Sequence, residues 1–340
     1  LKGIAADAVS RWISQHVAGT TLPFRFSLLA GGHSNLTYEV RDAAEQRMVL
    51  RRPPLGAVLA TAHDMAREFH IISALATTSV PVAPAIGLCE DPEVNGAPFY
   101  LMGFVEGDVL DSASRVNASV AVERRRQLGE HVIDVLASLH AVDPDTVGLG
   151  GLGRKEAYVE RQLKRFAKQW ESSKTRELGA MDELHRRLSS AVPRQHGATI
   201  VHGDYRLGNM IVAGGRVAGV LDWELCTLGD PLADLGYLLN DWTPPGEAPA
   251  SADGVENPTA AGGFPDRDAL IARYAERTGR DVSDLRYYRA FQAWRLGVIA
   301  EGVRARYLKG VMGGTADTDA LGRAVELLAA KATGLLSNDR

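Results

Sequence analysis

His202-Gly203-Asp204-Tyr205-Arg206-Leu207-Gly208-Asn209, with Asp222-Trp223-Glu224 downstream of it, is the stretch that decides the reading of this chain. Thr199 to Asn209 reads as a short strand running into a loop. Met210 to Val212 and Val217 to Leu221 flank Gly214-Gly215 as a hairpin, and Asp222 follows directly. One loop thus offers a carboxylate and an amide, and a second carboxylate arrives across the hairpin. Hard oxygen donors of this kind suit magnesium, and a carboxylate among them can orient a hydroxyl and take its proton. A plain turn is the competing reading, because Asp and Asn form loops readily.

Working outward, the N-terminal hundred residues alternate β-type runs with turns. Phe24 to Leu29, Thr37 to Val40 and Met48 to Leu50 read as three strands, the first two separated by Gly31-Gly32-His33-Ser34-Asn35. Met65, Phe69 and Ile72 then recur on one helical face with Glu68 beside them, and Pro98 to Val105 gives a further apolar strand. A boundary near Gly103 divides residues 1–103 from residues 104–340. Beyond it Leu128, Val132, Val135 and Leu139 predict a helix stopped at Pro144, Glu156 to Leu188 is helical with mixed charge, and Asp268 to Leu336 is mostly helical. Pro244 to Pro265, rich in Pro, Gly and Ala, reads as a surface loop.

Composition narrows the partners. With 340 residues, 45% of them hydrophobic, the chain can build two lobes and a substantial core. A net charge of -4 supplies no basic field for a nucleic-acid backbone. Cys89 and Cys226 are the only cysteines and lack companions at metal-ligand spacing, which excludes a disulfide framework or zinc site and suits a reducing cytoplasm. Leu1-Lys2-Gly3-Ile4 opens without the apolar run of a signal peptide, and no stretch nears the roughly 18 apolar residues of a membrane span, so no membrane role is expected.

The decisive stretch resembles the H-x-D-x-x-x-x-N loop and following metal-binding Asp of kinases, and with its surroundings it resembles the aminoglycoside-phosphotransferase family. The resemblance runs from Gly31 to about Tyr237 and more loosely to the end. It implies an α+β, bilobal protein-kinase-like fold: a small antiparallel N-terminal lobe with one long helix, and a larger, mainly helical C-terminal lobe, with ATP and Mg2+ between them. Carried over by position, Asp204 is the catalytic base, Arg206 the cation facing the transferred phosphoryl group, and Asn209 and Asp222 the magnesium ligands. Gly32, His33, Ser34 and Asn35 correspond to the turn over the phosphates, where glycine lets backbone N–H groups approach; an ordinary turn looks the same. Met102, Gly103 and Val105 correspond to the strand that meets the adenine edge. Arg51 stands where the family's phosphate-binding lysine is expected, and Glu68 is placed to be its carboxylate partner. Trp223 and Glu224 depart from the Phe and Gly of protein kinases. Asp230 and Asp234 read as helix-capping residues that brace the loop, His202 as structural, and Cys226 as packed.

For the acceptor, residues 151–195 hold eleven Lys or Arg against six Asp or Glu, a balance of +5, led by Arg154, Lys155, Arg161, Lys164, Arg165 and Lys168. That favours an anionic small-molecule hydroxyl substrate over a polycationic aminoglycoside; a solvated helix face is the alternative. The run of motifs is similar to the kinase domain fused to some acyl-CoA dehydrogenases, which implies a hydroxyacyl-CoA acceptor and a functional link to such a dehydrogenase. A kinase-like binding protein without efficient catalysis, motivated by Arg51, remains the competing class.

Overall fold

Along Arg47-Met48-Val49-Leu50-Arg51-Arg52 successive side chains point to opposite faces of a strand, and this alternation organises the N-terminal part of the molecule. The computed structural model describes residues 1–30, 35–55, 64–247, 256–311 and 316–337. Two units are formed, Leu1–Gly107 with Ala218–Glu224, and Asp108–Val217 with Leu225–Arg340. The first runs α1 (Ala6–His16), β1 (Arg25–Ala30), β2 (Leu36–Arg41), β3 (Arg47–Arg52), α2 (Met65–Leu75), β4 (Ala85–Cys89), the one-turn α3 (Pro92–Asn95) and β5 (Phe99–Gly103). Its five strands are antiparallel in the order β1-β2-β3-β5-β4.

Met48 and Leu50 of β3 lie in a buried cluster with Val9 and Ile13 of α1, Tyr38 and Val40 of β2, and Phe99 and Leu101 of β5. Val49 and Arg51 therefore belong to the other face, paired in register with Met102 and Tyr100. Helix α2 starts at Asp64, whose carboxylate caps Arg67 N–H at 2.9 Å. It buries Met65, Glu68, Ile71, Ile72 and Leu75, so a carboxylate sits on its apolar stripe. A carboxylate in that position needs a partner. The single long helix expected here is corrected: α1 and α2 each span eleven residues. Val9 and Ile13 are the only buried residues of α1, too sparse a stripe to stand out.

The second unit runs β6 (Asp108–Val109), α4 (Ala113–Ser119), α5 (Val122–Ala141), α6 (Tyr158–Ser173), α7 (Gly179–Ser190), β7 (Thr199–Val201), β8 (Met210–Ala213), the start of β9 (Arg216–Val220, whose residues from Ala218 on belong to the first unit), β10 (Thr227–Gly229), α8 (Pro231–Asp241), α9 (Arg267–Thr278), α10 (Leu285–Leu308) and α11 (Thr318–Ser337). Its core is carried by α10, which packs on α6, α7, α8 and α11 through Tyr288, Phe291, Trp294 and Val298. Strands β7 and β10 pair antiparallel, Val201 opposite Thr227, and a separate sheet has the order β6-β8-β9. The segment 202–209 hangs between β7 and β8.

The surface loop expected over Pro244 to Pro265 is in part anchored; residues 248–255 lie outside the described residues. Pro258 and Thr259 are buried in a 3-10 turn, and the buried guanidinium of Arg125 in α5 donates to Ala261 O at 2.7 Å. A buried guanidinium without a carboxylate takes backbone carbonyls instead. Both cysteines are buried free thiols. Among the described residues no helix is long and apolar enough to cross a membrane.

Candidate active site

In the second unit the loop after β7 is fixed from below by Asp234, in the first turn of α8. Its Oδ2 accepts from His202 N–H at 2.6 Å and its Oδ1 from Gly203 N–H at 2.9 Å. Burial pushes the Asp234 carboxyl up, but His140, His202 and the Gly203 N–H outweigh it and hold the pKa below the usual value. Asp230 caps α8 by accepting Leu232 N–H at 3.0 Å and also takes His196 N–H and the Tyr288 hydroxyl. Arg295 of α10, buried, donates through both terminal nitrogens to Gly203 O at 3.1 Å. Gly203 has φ 84°, and a Cβ there would lie 2.9 Å from Leu225 O, so glycine is required.

Replacing Asp234 by Asn leaves one of those backbone N–H groups without an acceptor, at about 1–3 kcal/mol for a buried unpaired donor. Thermal denaturation of Asp234→Asn is expected to show that loss at neutral pH. A depressed carboxylate stabilises the fold above its unfolded pKa and loses that effect as pH falls through the folded value, so the deficit shrinks toward acid pH.

On this platform Asp204, about a quarter exposed, receives Asn209 Nδ2 on its Oδ2 at 2.7 Å and on its main-chain oxygen at 2.9 Å. Arg206 Nε stands 3.7 Å from Asp204 Oδ1. Burial first, and then the nearby Asp204 carboxylate, push the Tyr237 hydroxyl well up. With Asn209 Nδ2 engaged, no described residue donates to its Oδ1.

In the first unit Arg51 joins two carboxylates. Its Nη2 lies 2.6 Å from Asp222 Oδ1, and its Nε is 3.0 Å from Glu68 Oε2, an ion pair outside hydrogen-bond geometry. Tyr100 donates to Glu68 Oε2 at 3.1 Å and Asn35 Nδ2 to Glu68 Oε1 at 2.9 Å. Burial pushes Glu68 up, with Arg51 pulling against it. For Arg51 burial works downward, but Glu68, Tyr100 and Asp222 overcome it and the net shift is upward. Asp222 sits in the left-handed region at φ 65°, a conformation Asp tolerates better than most residues. Among the described residues nothing pairs with its Oδ2.

Of the residues expected at the nucleotide, Gly32, His33 and Ser34 lie outside the described residues, as does Gly31. Asn35 is buried against Glu68, and its Oδ1 has no partner. Met102 shares the sheet face of Arg51. Gly103 gives its N–H to Pro84 O at 2.8 Å, and Val105 lies past the end of β5. Glu68 and Arg51 meet; Asp204, Arg206 and Asn209 meet; Asp222 joins Arg51.

A pocket of about 260 Å³ opens beside Tyr237 in the second unit. Tyr237, Asn240 and Asp241 of α8 form its polar end. Leu296, Ile299 and Ala300 of α10 and Leu321, Ala324 and Leu328 of α11 form an apolar wall, with Lys331 beside them. Burial pushes the Asp241 carboxyl up, Arg206 opposing and Asp204 adding to the shift. The basic residues between 154 and 168 do not line this pocket: Lys155, ahead of α6, pairs with Asp145, and in α6 Arg161 bonds Arg154 O and Arg165 lies over Phe166. Sequence reasoning missed Tyr237, Asp241, Arg295 and Lys331.

A model of the phosphotransferase enzyme family matches residues 25–294. The chain belongs to the phosphotransferase enzyme family. Mouse acyl-CoA dehydrogenase family member 10 is 34% identical over 312 residues, covering 90% of this chain and 29% of that protein. The chain therefore spans less than a third of that relative's length. A crystal structure described as a candidate aminoglycoside phosphotransferase from Ralstonia eutropha superposes with a TM-score of 0.81 at 33% identity, covering 97% of this chain and 99% of that one. The GDP and kanamycin complex of an APH(2") enzyme shares the fold at a TM-score of 0.64 and 14% identity, covering 96% and 98%. The protein-kinase-like α+β fold expected from the family motifs is the one found.

Proposed function

We propose that this phosphotransferase family member moves the γ-phosphoryl group of ATP, with Mg2+, to a hydroxyl of a small anionic acceptor such as a hydroxyacyl-CoA. The observation that carries the reading is the locked Asp204–Asn209 pair on a loop braced by Asp234. The donor types suit the ion: Asn209 Oδ1 in one unit and Asp222 Oδ2 in the other are hard oxygens, which Mg2+ prefers. When bound, Mg2+ and ATP supply the phosphoryl group and the charge that stabilises its transfer.

The chain's own residues do the rest. Asn209 holds one carboxylate oxygen of Asp204, so the other is presented to the acceptor hydroxyl and takes its proton. Arg206, beside that oxygen, offers positive charge to the transferred group. Arg51, oriented by Glu68, carries the role of the usual lysine with a planar fork instead of a point charge. An apolar pocket wall with a lysine suits an anionic acceptor better than a polycation.

Arg51 also supports a second reading, a kinase-like binding protein without efficient catalysis, because it engages the Asp222 oxygen that a cation would share. Calorimetric titration of ATP with and without Mg2+, on wild type and Asp222→Ala, separates the two. The first reading expects magnesium-dependent binding that the variant weakens by about tenfold or more, followed by turnover of hydroxyacyl-CoA in an acceptor panel. Absence of nucleotide binding by wild type favours the second, and turnover of kanamycin alone excludes the anionic acceptor.

A further inference from the structure

Lys331 is half-buried on α11, and among the described residues no carboxylate forms an ion pair with it. Its Nζ donates once, to Asn240 O at 3.0 Å, which leaves two of its three N–H donors for another partner. Buried charge without a counter-ion is unfavourable unless a ligand supplies one. Of the charged groups around it, Arg267 of α9 is tied to Glu247 at 2.9 Å, Arg289 of α10 bonds the Asn240 side chain at 3.3 Å, and the Glu247 and Asp241 carboxylates favour its charge from nearby without forming an ion pair with it. Lys331 lines the pocket beside Tyr237, together with its polar end at Asp241 and the apolar wall of α10 and α11, while Arg267 and Arg289 line another pocket.

We propose that Lys331 is the specificity-determining residue of this pocket, pairing with an anionic group of the acceptor while its apolar chain lies along Leu296, Ile299, Leu321 and Leu328. This rests on the reading that Asp204 receives the acceptor hydroxyl; Tyr237 lines the pocket, and the Asp204 carboxylate is near enough to raise its hydroxyl pKa. The anion is a carboxylate on a free acid or a phosphate on a larger thioester; both meet the ammonium in the same way. Burial, with Arg267 and Arg289 adding to it and Glu247 and Asp241 opposing, pushes Lys331 down to about 8. Its charge is therefore lost as pH rises from neutral into the mildly alkaline range.

Hexanoate, hexanoyl-CoA and hexylamine, whose six-carbon chains carry no hydroxyl, test this by calorimetric binding to the whole chain without any need for turnover. Wild type is expected to bind hexanoate or hexanoyl-CoA about tenfold to a hundredfold more tightly than hexylamine. Lys331→Met removes that preference, Lys331→Arg keeps it, and in wild type it fades between pH 7 and 9. Dependence with hexanoate identifies a carboxylate; dependence with the thioester alone identifies its phosphates. Melting curves of both variants establish that they fold, and Lys331→Glu, expected to favour hexylamine, is a second probe if Met disturbs the helix. Equal binding of anion and amine by wild type, no binding of either hexanoate or hexanoyl-CoA, or an unchanged preference in a folded Lys331→Met overturns the assignment. If anion preference holds while no hydroxy acid is turned over, the phosphotransfer reading fails and this one stands.

Discussion

Asp204→Asn is expected to lower kcat for phosphoryl transfer about a hundredfold to ten-thousandfold, the range lost with a positioned proton acceptor. The variant should melt within a degree or two of wild type and bind nucleotide as before. Asp204 is partly exposed and is held by a donor, Asn209 Nδ2, that an asparagine carbonyl at 204 can also accept. Geometry therefore survives while the charge and the basic oxygen go. Single-turnover rates with saturating acceptor report the chemical step directly; a variant retaining most of its transfer rate would sink the assignment of Asp204 as base. Lost nucleotide affinity would move its role from chemistry to binding.

The largest stability effect is expected at Arg51. Removing one partner of a buried ion pair costs about 3–5 kcal/mol, because the charge left behind has neither water nor counter-ion. Arg51→Met leaves Glu68, only 2% exposed, facing Asp222 across the space the guanidinium filled. The sign of the pH dependence follows. Burial already pushes the Glu68 carboxyl up, and without Arg51 it rises further. A carboxyl whose folded pKa exceeds its unfolded value costs stability as pH increases, so the variant's deficit is greatest at neutral pH and shrinks as the pH is lowered. Arg51→Lys restores one charge but cannot reach both carboxylates with a fork, so it should fall between the two. Chemical denaturation at pH 5 and pH 7.5 measures this, and equal midpoints for wild type and Arg51→Met would exclude the ion pair as a structural element.

What could be read from sequence was whatever a single short segment encodes. The spacing from His202 to Asn209 is set by one loop, and the hairpin to Asp222 by one glycine pair, so composition and order suffice. Asp234 was read as a brace because it opens the helix following that loop, and the distances to His202 and Gly203 show it acting as one. Charge density over residues 151–195 favours an anionic acceptor; of its cations Lys155 turns to Asp145, Arg161 to Arg154 O and Arg165 to an aromatic ring. Lys331 on α11 lies far in sequence from Tyr237 and Asp241, one turn apart on α8, and meets them only when α8, α10 and α11 pack. Nothing local marks them, and helix α1 escaped notice for the related reason that two buried side chains make too faint a stripe.

The return of residues 218–224 to the first unit bears on how this fold can be rearranged between relatives. A chimera that exchanges residues 1–107 as a cassette takes Arg51 and Glu68 from one parent and Asp222 from the other, dividing a three-residue ion network between two histories. If one parent carried lysine at the position of Arg51, the exchange would alter the partner of Asp222 without touching Asp222 itself. The unit that can be transplanted intact is therefore discontinuous in the gene, and its small second piece travels inside the segment that encodes the other unit.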